Sequence, residues 1–251
     1  MASIVTRRRT GPKRLLPAGA LPFRRRLLSW YGRHRRRLPW RGVRDPYAVL
    51  VSEIMLQQTQ VARVLEFYPR FLARYPTLED LAAAPADAVR ESWEGLGYYA
   101  RARNLHQAAR EVVKRLSGRL PRRVEELRAL PGIGRYTAGA VASLAYGAEV
   151  PAVDTNAARV LARAFGVRGG RKSARRERRV WALAAALVPR GRAADWNQAL
   201  MDLGATYCTA RRPRCQDCPV RDRCATGRTR TDQDGRLSPS SEEATRRRGG
   251  K

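Results

Sequence analysis

A chain of 251 residues can bury one sizeable core or two smaller lobes that share an interface, and 43% apolar residues are enough to fold most of it. Its 51 basic against 22 acidic residues leave a formal net charge of +29, a self-repelling excess that points to a polyanionic partner, nucleic acid first. No apolar run approaches the ~18 residues of a membrane span, and no amphipathic anchor is present, so a membrane role is excluded. Only Lys13, Lys114, Lys172 and Lys251 are lysines. Arginine therefore supplies nearly all the charge, a bias that GC-rich coding also produces.

The pattern along the chain is helical, without strand alternation, and predicts an all-α fold of many short helices. Fourteen basic residues precede the first acidic one, Asp45. Residues 1–21 read as a disordered basic arm. They lack the apolar stretch of a signal peptide, which fits a cytoplasmic location. Asp45-Pro46 is an N-cap followed by a first-turn proline, and Val49, Val51, Ile54 and Met55 then suit a mostly buried helix. Thr59 is positioned to cap the next helix, which carries Val61, Val64, Leu65, Tyr68 and Phe71 at helical spacing. Thr77 and Asp80 resemble a capping box. Pro85 opens a helix toward Trp93 that Gly95 and Gly97 end. Further helices are expected at about 100–116, 124–130, 135–146, 155–165, 174–188 and 194–206. Residues 226–251, rich in Arg, Gly, Ser and Asp, read as a disordered tail.

Two local features carry chemistry. In Leu130-Pro131-Gly132-Ile133-Gly134-Arg135-Tyr136-Thr137, two glycines flank one inward-pointing apolar residue. Backbone amides then face outward at the start of the helix from Arg135, where the dipole favours an anion. An ordinary tight turn between helices satisfies the same local pattern. Cys208, Cys215, Cys218 and Cys224 follow a C-x6-C-x2-C-x5-C spacing. Four thiolates without a nearby histidine call for a soft metal centre in a reducing compartment. Both a 4Fe–4S cluster and a four-cysteine zinc site answer that description, although zinc usually shows two CxxC pairs.

These residues resemble a family. The hairpin from Leu130 to Ala138 and the cysteine spacing are similar to those of the endonuclease III helix-hairpin-helix superfamily, which uses such cysteines for a 4Fe–4S cluster. Asp154 stands where that superfamily has its essential aspartate. Within the superfamily, Leu38-Pro39-Trp40-Arg41, the run Ser52 to Gln60 and the run Gly95 to Leu105 resemble the adenine DNA glycosylase (MutY) family. The resemblance runs from about Leu28 to Cys224. It implies a bacterial, nucleoid-associated base-excision enzyme acting as a monomer on double-stranded DNA with a mispair. It also implies two lobes: a six-helix barrel over 46–150 carrying the hairpin, and a second lobe from 22–45 and 151–225 carrying the cluster.

The resemblance assigns roles residue by residue. Glu53 is the general acid that protonates the leaving base, although a glutamate in an apolar helix ordinarily faces solvent. Asp154 is the second carboxylate, steadying positive charge at the sugar, and it also suits an N-cap. Their environments are expected to drive the two pKa values apart. Tyr136 stands where lyase-active relatives carry a lysine nucleophile. No lysine lies between Lys114 and Lys172, so the implied enzyme is monofunctional. Trp40, Arg41 and Leu56 line the base pocket, Gln58 and Tyr98 form a wedge, and Asn156 and Gln198 orient the reacting groups. Gly132, Gly134 and Arg135 hold DNA backbone. Two departures stand out. Only 27 residues follow Cys224, too few and too polar for the family's 8-oxoguanine-reading domain, so opposite-base discrimination is open. Thr155 also replaces a glycine common in the family. Two other readings remain: a glycosylase removing thymine or uracil opposite guanine, and a non-catalytic DNA-binding module.

Overall fold

The computed structural model describes residues 16–170 and 173–229. Residues 1–15 of the basic arm and 230–251 of the tail lie outside them. The described residues form twelve α-helices and no strand: α1 (Ala20–His34), α2 (Pro46–Met55), α3 (Val61–Arg74), α4 (Leu78–Ala83), α5 (Ala86–Glu91), α6 (Ala100–Leu116), α7 (Val124–Arg128), α8 (Arg135–Leu144), α9 (Thr155–Ala164), α10 (Ala174–Leu187), α11 (Ala193–Thr206) and α12 (Ala225–Thr229). The helices begin where the capping chemistry says. Asp45 accepts from the Tyr47 and Ala48 amides at the start of α2, and Thr77 and Asp80 close a reciprocal box on α4. Thr59 departs from expectation. It does not cap α3, whose N-cap is Gln60 without a side-chain bond, because its hydroxyl is engaged by Arg101.

Two apolar cores divide the chain. One is built from Trp40 and helices α2 to α8; the other from α1, α9, α10, α11 and Val220. The second lobe is therefore assembled from the two ends of the described chain, with α1 packed on α11. The linker does not follow the boundary expected at residue 45. Leu38, Trp40 and Val43 pack into the first core, where the Trp40 ring meets Tyr68 edge-on at 5.5 Å. Two short helical segments also run into the stretches expected to lack order, since α1 starts at Ala20 and α12 covers Ala225–Thr229. A small contact of Ala140, Ala152 and Met201 seals the lobes beneath the cleft between them. Gly204 sets the closeness of α11 to α9: a side chain there would meet the Asn156 Cβ at 2.6 Å.

Candidate active site

The cleft between the lobes has a volume of about 710 Å³. Its walls bring together Glu53, Tyr136 and Asp154 with Trp40, Arg41, Leu56, Gln58, Asn156 and Gln198, and with Gly132, Gly134 and Arg135 of the hairpin. Tyr98 is the expected site residue that is not on the wall. It is 59% exposed, in a left-handed conformation (φ 50°) just after Gly97.

Glu53 comes from the last turns of α2, a helix with nine of its ten residues buried. No polar face remains for it, and it is only 5% exposed. Its carboxylate accepts from the Tyr136 hydroxyl at 2.5 Å. Burial pushes the Glu53 carboxyl above its ordinary range. The Tyr136 bond and nearby Arg41 pull it back, and Asp154 pushes it further up. Tyr136 is driven well above its ordinary value, by burial first and then by the Glu53 and Asp154 charges, so it remains a phenol that donates.

Asp154 caps α9. Its carboxylate accepts from the Ala157 amide at 2.6 Å and from Asn156 Nδ2 at 2.8 Å. Burial raises this carboxyl as well, against the lowering effect of those donors and of Arg159. The two values are therefore not driven in opposite directions. Both rise because both groups are desolvated, and they differ in their donors. Glu53 has one hydroxyl, whereas Asp154 has an amide and a side-chain amide that favour its charged form. Arg159 extends the support, donating to Asn156 Oδ1 at 2.6 Å and to the Cys208 carbonyl at 2.6 Å.

Behind the wall lies a residue that the sequence reading missed. Asp202 on α11 is fully buried and accepts from Arg41 at 2.8 Å and from Arg36 Nε at 2.8 Å. It thereby fixes Arg41 beside the acid. Arg41 keeps a buried Nε–H without a partner. Gln198 accepts from the Tyr31 hydroxyl at 2.6 Å. A lone aspartate in the run Leu200-Met201-Asp202-Leu203 was the only signal available for Asp202, and a charge among apolar residues of a helix is ordinarily exposed.

In the hairpin, Ile133 is buried and Gly132 has φ 73°. A side chain at Gly132 would also meet the Asn104 Cβ at 2.6 Å, so glycine is required twice over. Gly134 is extended (φ −80°), and a Cβ there would face open space. Its backbone is thus free to meet a ligand at the N-terminus of α8. The Arg135 guanidinium lies 3.8 Å over the Trp181 ring of α10, so this arginine also ties the hairpin to the opposite lobe.

Residues 51–185 match the HhH-GPD superfamily base excision DNA repair proteins. The chain belongs to the HhH-GPD superfamily. A human adenine DNA glycosylase is 47% identical over 228 residues, a span of 87% of this chain and 42% of that protein. The chain thus spans less than half the length of that HhH-GPD relative. Among solved structures, a thermostable thymine-DNA glycosylase superposes with a TM-score of 0.77 at 34% identity, over 84% of this chain and 97% of that one. An endonuclease III–DNA covalent intermediate superposes at 0.70 with 25% identity, over 83% and 95%.

This HhH-GPD chain also matches the iron–sulfur binding domain of endonuclease III over residues 208–224. The cysteine loop suits a 4Fe–4S cluster. None of the four cysteines is in a disulfide. Burial pushes the Cys218 thiol up to about 12, and the neighbouring Cys224, Cys208 and Cys215 add to that. Four thiolates crowded in this way need a cationic centre. Several N–H groups point at sulfur, among them Arg163 at Cys208 Sγ (3.4 Å) and Gly227 at Cys224 Sγ (3.3 Å). Among the described residues no helix is long and apolar enough to cross a membrane.

Proposed function

We propose that this chain is a monofunctional DNA glycosylase, acting as a monomer on nucleoid DNA, that hydrolyses the N-glycosidic bond of a flipped adenine mispaired with guanine or 8-oxoguanine. The observation that carries this reading is a buried acid from one lobe and a partly buried carboxylate from the other, facing one cleft beside Tyr136. An anionic purine is a poor leaving group. Glu53, whose carboxyl burial raises above its ordinary range, gives its proton to N7 of the adenine as the bond from C1′ to N9 breaks and its electron pair moves into the purine. Positive charge then develops at C1′, and the Asp154 carboxylate, whose amide donors favour its charged form, steadies it. Water adds at C1′ and loses its proton to a carboxylate, leaving free adenine and an abasic sugar. Tyr136 orients the acid through its hydroxyl. It offers no amine for a covalent lyase step, which supports single-activity chemistry.

Trp40, Arg41 and Leu56 would enclose the base. Gln198 and Asn156 would orient base and carboxylate. Gln58 and Tyr98 would fill the stack that the base leaves. Gly132, Gly134 and Arg135 would seat a phosphate at the start of α8. Cys208, Cys215, Cys218 and Cys224 would hold the cluster, whose iron supplies the positive charge that keeps the thiolates ionised and the loop folded.

A second reading, removal of thymine or uracil opposite guanine, is favoured by the likeness to the thymine-DNA glycosylase over 97% of its length. Protonation at N7 has no counterpart in a pyrimidine, so the desolvated Glu53 supports adenine. Single-turnover base release on duplexes with A or T opposite G, C and 8-oxoguanine tests both. Release of adenine alone is expected. Preferential release of thymine opposite guanine would replace the first reading with the second, and no release from any duplex would remove both.

A further inference from the structure

Arg101, on α6, takes no part in the chemistry above and lies outside the cleft wall, yet it is 8% exposed and among the most heavily bonded side chains in the molecule. One terminal nitrogen donates to the carbonyls of Ile54 (3.0 Å), Met55 (2.8 Å) and Gln57. The other donates to Thr59 Oγ1 (3.0 Å) and to the carbonyls of Leu96 (3.3 Å) and Gly97 (3.0 Å). These acceptors belong to two separate segments, the last turn of α2 with the loop that follows it and the loop preceding α6. Gln58 lies between two of the acceptor residues in the first loop. Tyr98 directly follows an acceptor in the second. Gln58 (φ 55°) and Tyr98 (φ 50°) are two of the three non-glycine residues with positive φ among the described residues; the third, Ser117, ends α6. Such a conformation persists only where the surroundings over-determine it. The Arg101 guanidinium carbon also lies 5.5 Å from the Tyr98 ring and 5.6 Å from the Trp93 ring.

We propose that Arg101 is a positioning residue that clamps the two loops to each other and so presents Gln58 and Tyr98 to the duplex as one pre-formed wedge. The proposal rests on the reading of those two side chains as the groups that replace the flipped base. The rigid planar fork of arginine suits this task, since it reaches acceptors in both loops at once and a lysine ammonium does not reproduce that geometry. A wedge ordered before DNA binds avoids the ordering cost at the moment of base extrusion.

The test uses the full chain with its cluster in place. Far-ultraviolet circular dichroism and the visible cluster absorption check that each variant is folded. Stopped-flow fluorescence of 2-aminopurine beside the target adenine reports extrusion, and single-turnover base release is followed in parallel. Arg101→Lys is expected to slow extrusion about tenfold on a stacked mispair, and by less than about threefold where the adenine faces an abasic site and is already unpaired. In a Tyr98→Ala background, Arg101→Lys is expected to add less than about twofold, because both changes act on one device. Normal extrusion by Arg101→Lys alongside slow extrusion by Tyr98→Ala overturns the clamp and leaves the wedge standing, as do fully multiplicative losses in the double variant. Normal extrusion by both Tyr98→Ala and Gln58→Ala removes the wedge itself, and the clamp with it. Should Arg101→Lys not fold, Thr59→Ala deletes one bond of the same fork. It is expected to slow extrusion about threefold, and an unchanged rate overturns the proposal.

Discussion

The two carboxylates of the cleft are built in different ways. Glu53 sits near the end of a buried helix, in a setting that offers it one hydroxyl and little else. Asp154 sits at a helix start, where an amide, a side-chain amide and an arginine behind them converge. Both are desolvated and both have raised pKa values. Burial alone therefore does not separate the proposed acid from the proposed anion; the difference between them lies in the count of donors. A carboxyl with few donors is cheap to keep protonated, and one with several is cheap to keep charged.

That contrast can be broken from either side. Glu53→Gln keeps the shape and removes the proton. Single-turnover base release is expected to fall at least about ten-thousandfold, with duplex affinity in a gel-shift titration within about tenfold of wild type. Retained release would end the acid role. Asp154→Asn is expected to cost about a thousandfold in the same assay, since it removes the charge that faces C1′. Unlike Glu53→Gln, it also replaces a capping carboxylate and lowers thermal stability.

Tyr136→Phe sharpens the comparison with a smaller effect, about tenfold in rate. The Tyr136 bond lowers the Glu53 pKa, so its loss should move the alkaline limb of the pH–rate profile upward. A downward move would mean that the phenol stabilises the protonated acid instead. The smallest effect is on stability. The raised Glu53 pKa means that its contribution is fully present below the unfolded-state pKa and is lost as pH rises through the folded-state value. Glu53→Gln stays neutral throughout. Its melting temperature should match wild type near pH 4 and exceed it by about 3 °C near pH 8, measured by differential scanning calorimetry. Equal melting temperatures at both pH values would show that Glu53 is hydrated in solution.

Much of the fold was legible because helix boundaries are local. Asp45-Pro46, the Thr77–Asp80 pair and Asp154 each fix a start through bonds within three residues. The hairpin and the cysteine loop were legible for the same reason. Thr59 misled because a capping signal says which bonds a side chain can make, and a distant arginine competed for the hydroxyl. The linker at residues 38–43 misled because composition does not say which of two cores a tryptophan enters.

By itself, the sequence determined the helical class, the order of the helices, the glycine-flanked turn, the four-thiol loop and the absence of a lysine between residues 114 and 172. Tertiary structure alone decided that Glu53 is dry, that Asp202 holds Arg41, and that Arg101 joins two loops over 40 residues apart. The physical reason is one of range. Caps and turns depend on backbone groups a few residues away, whereas desolvation and shared hydrogen bonds depend on which distant segment closes over a side chain.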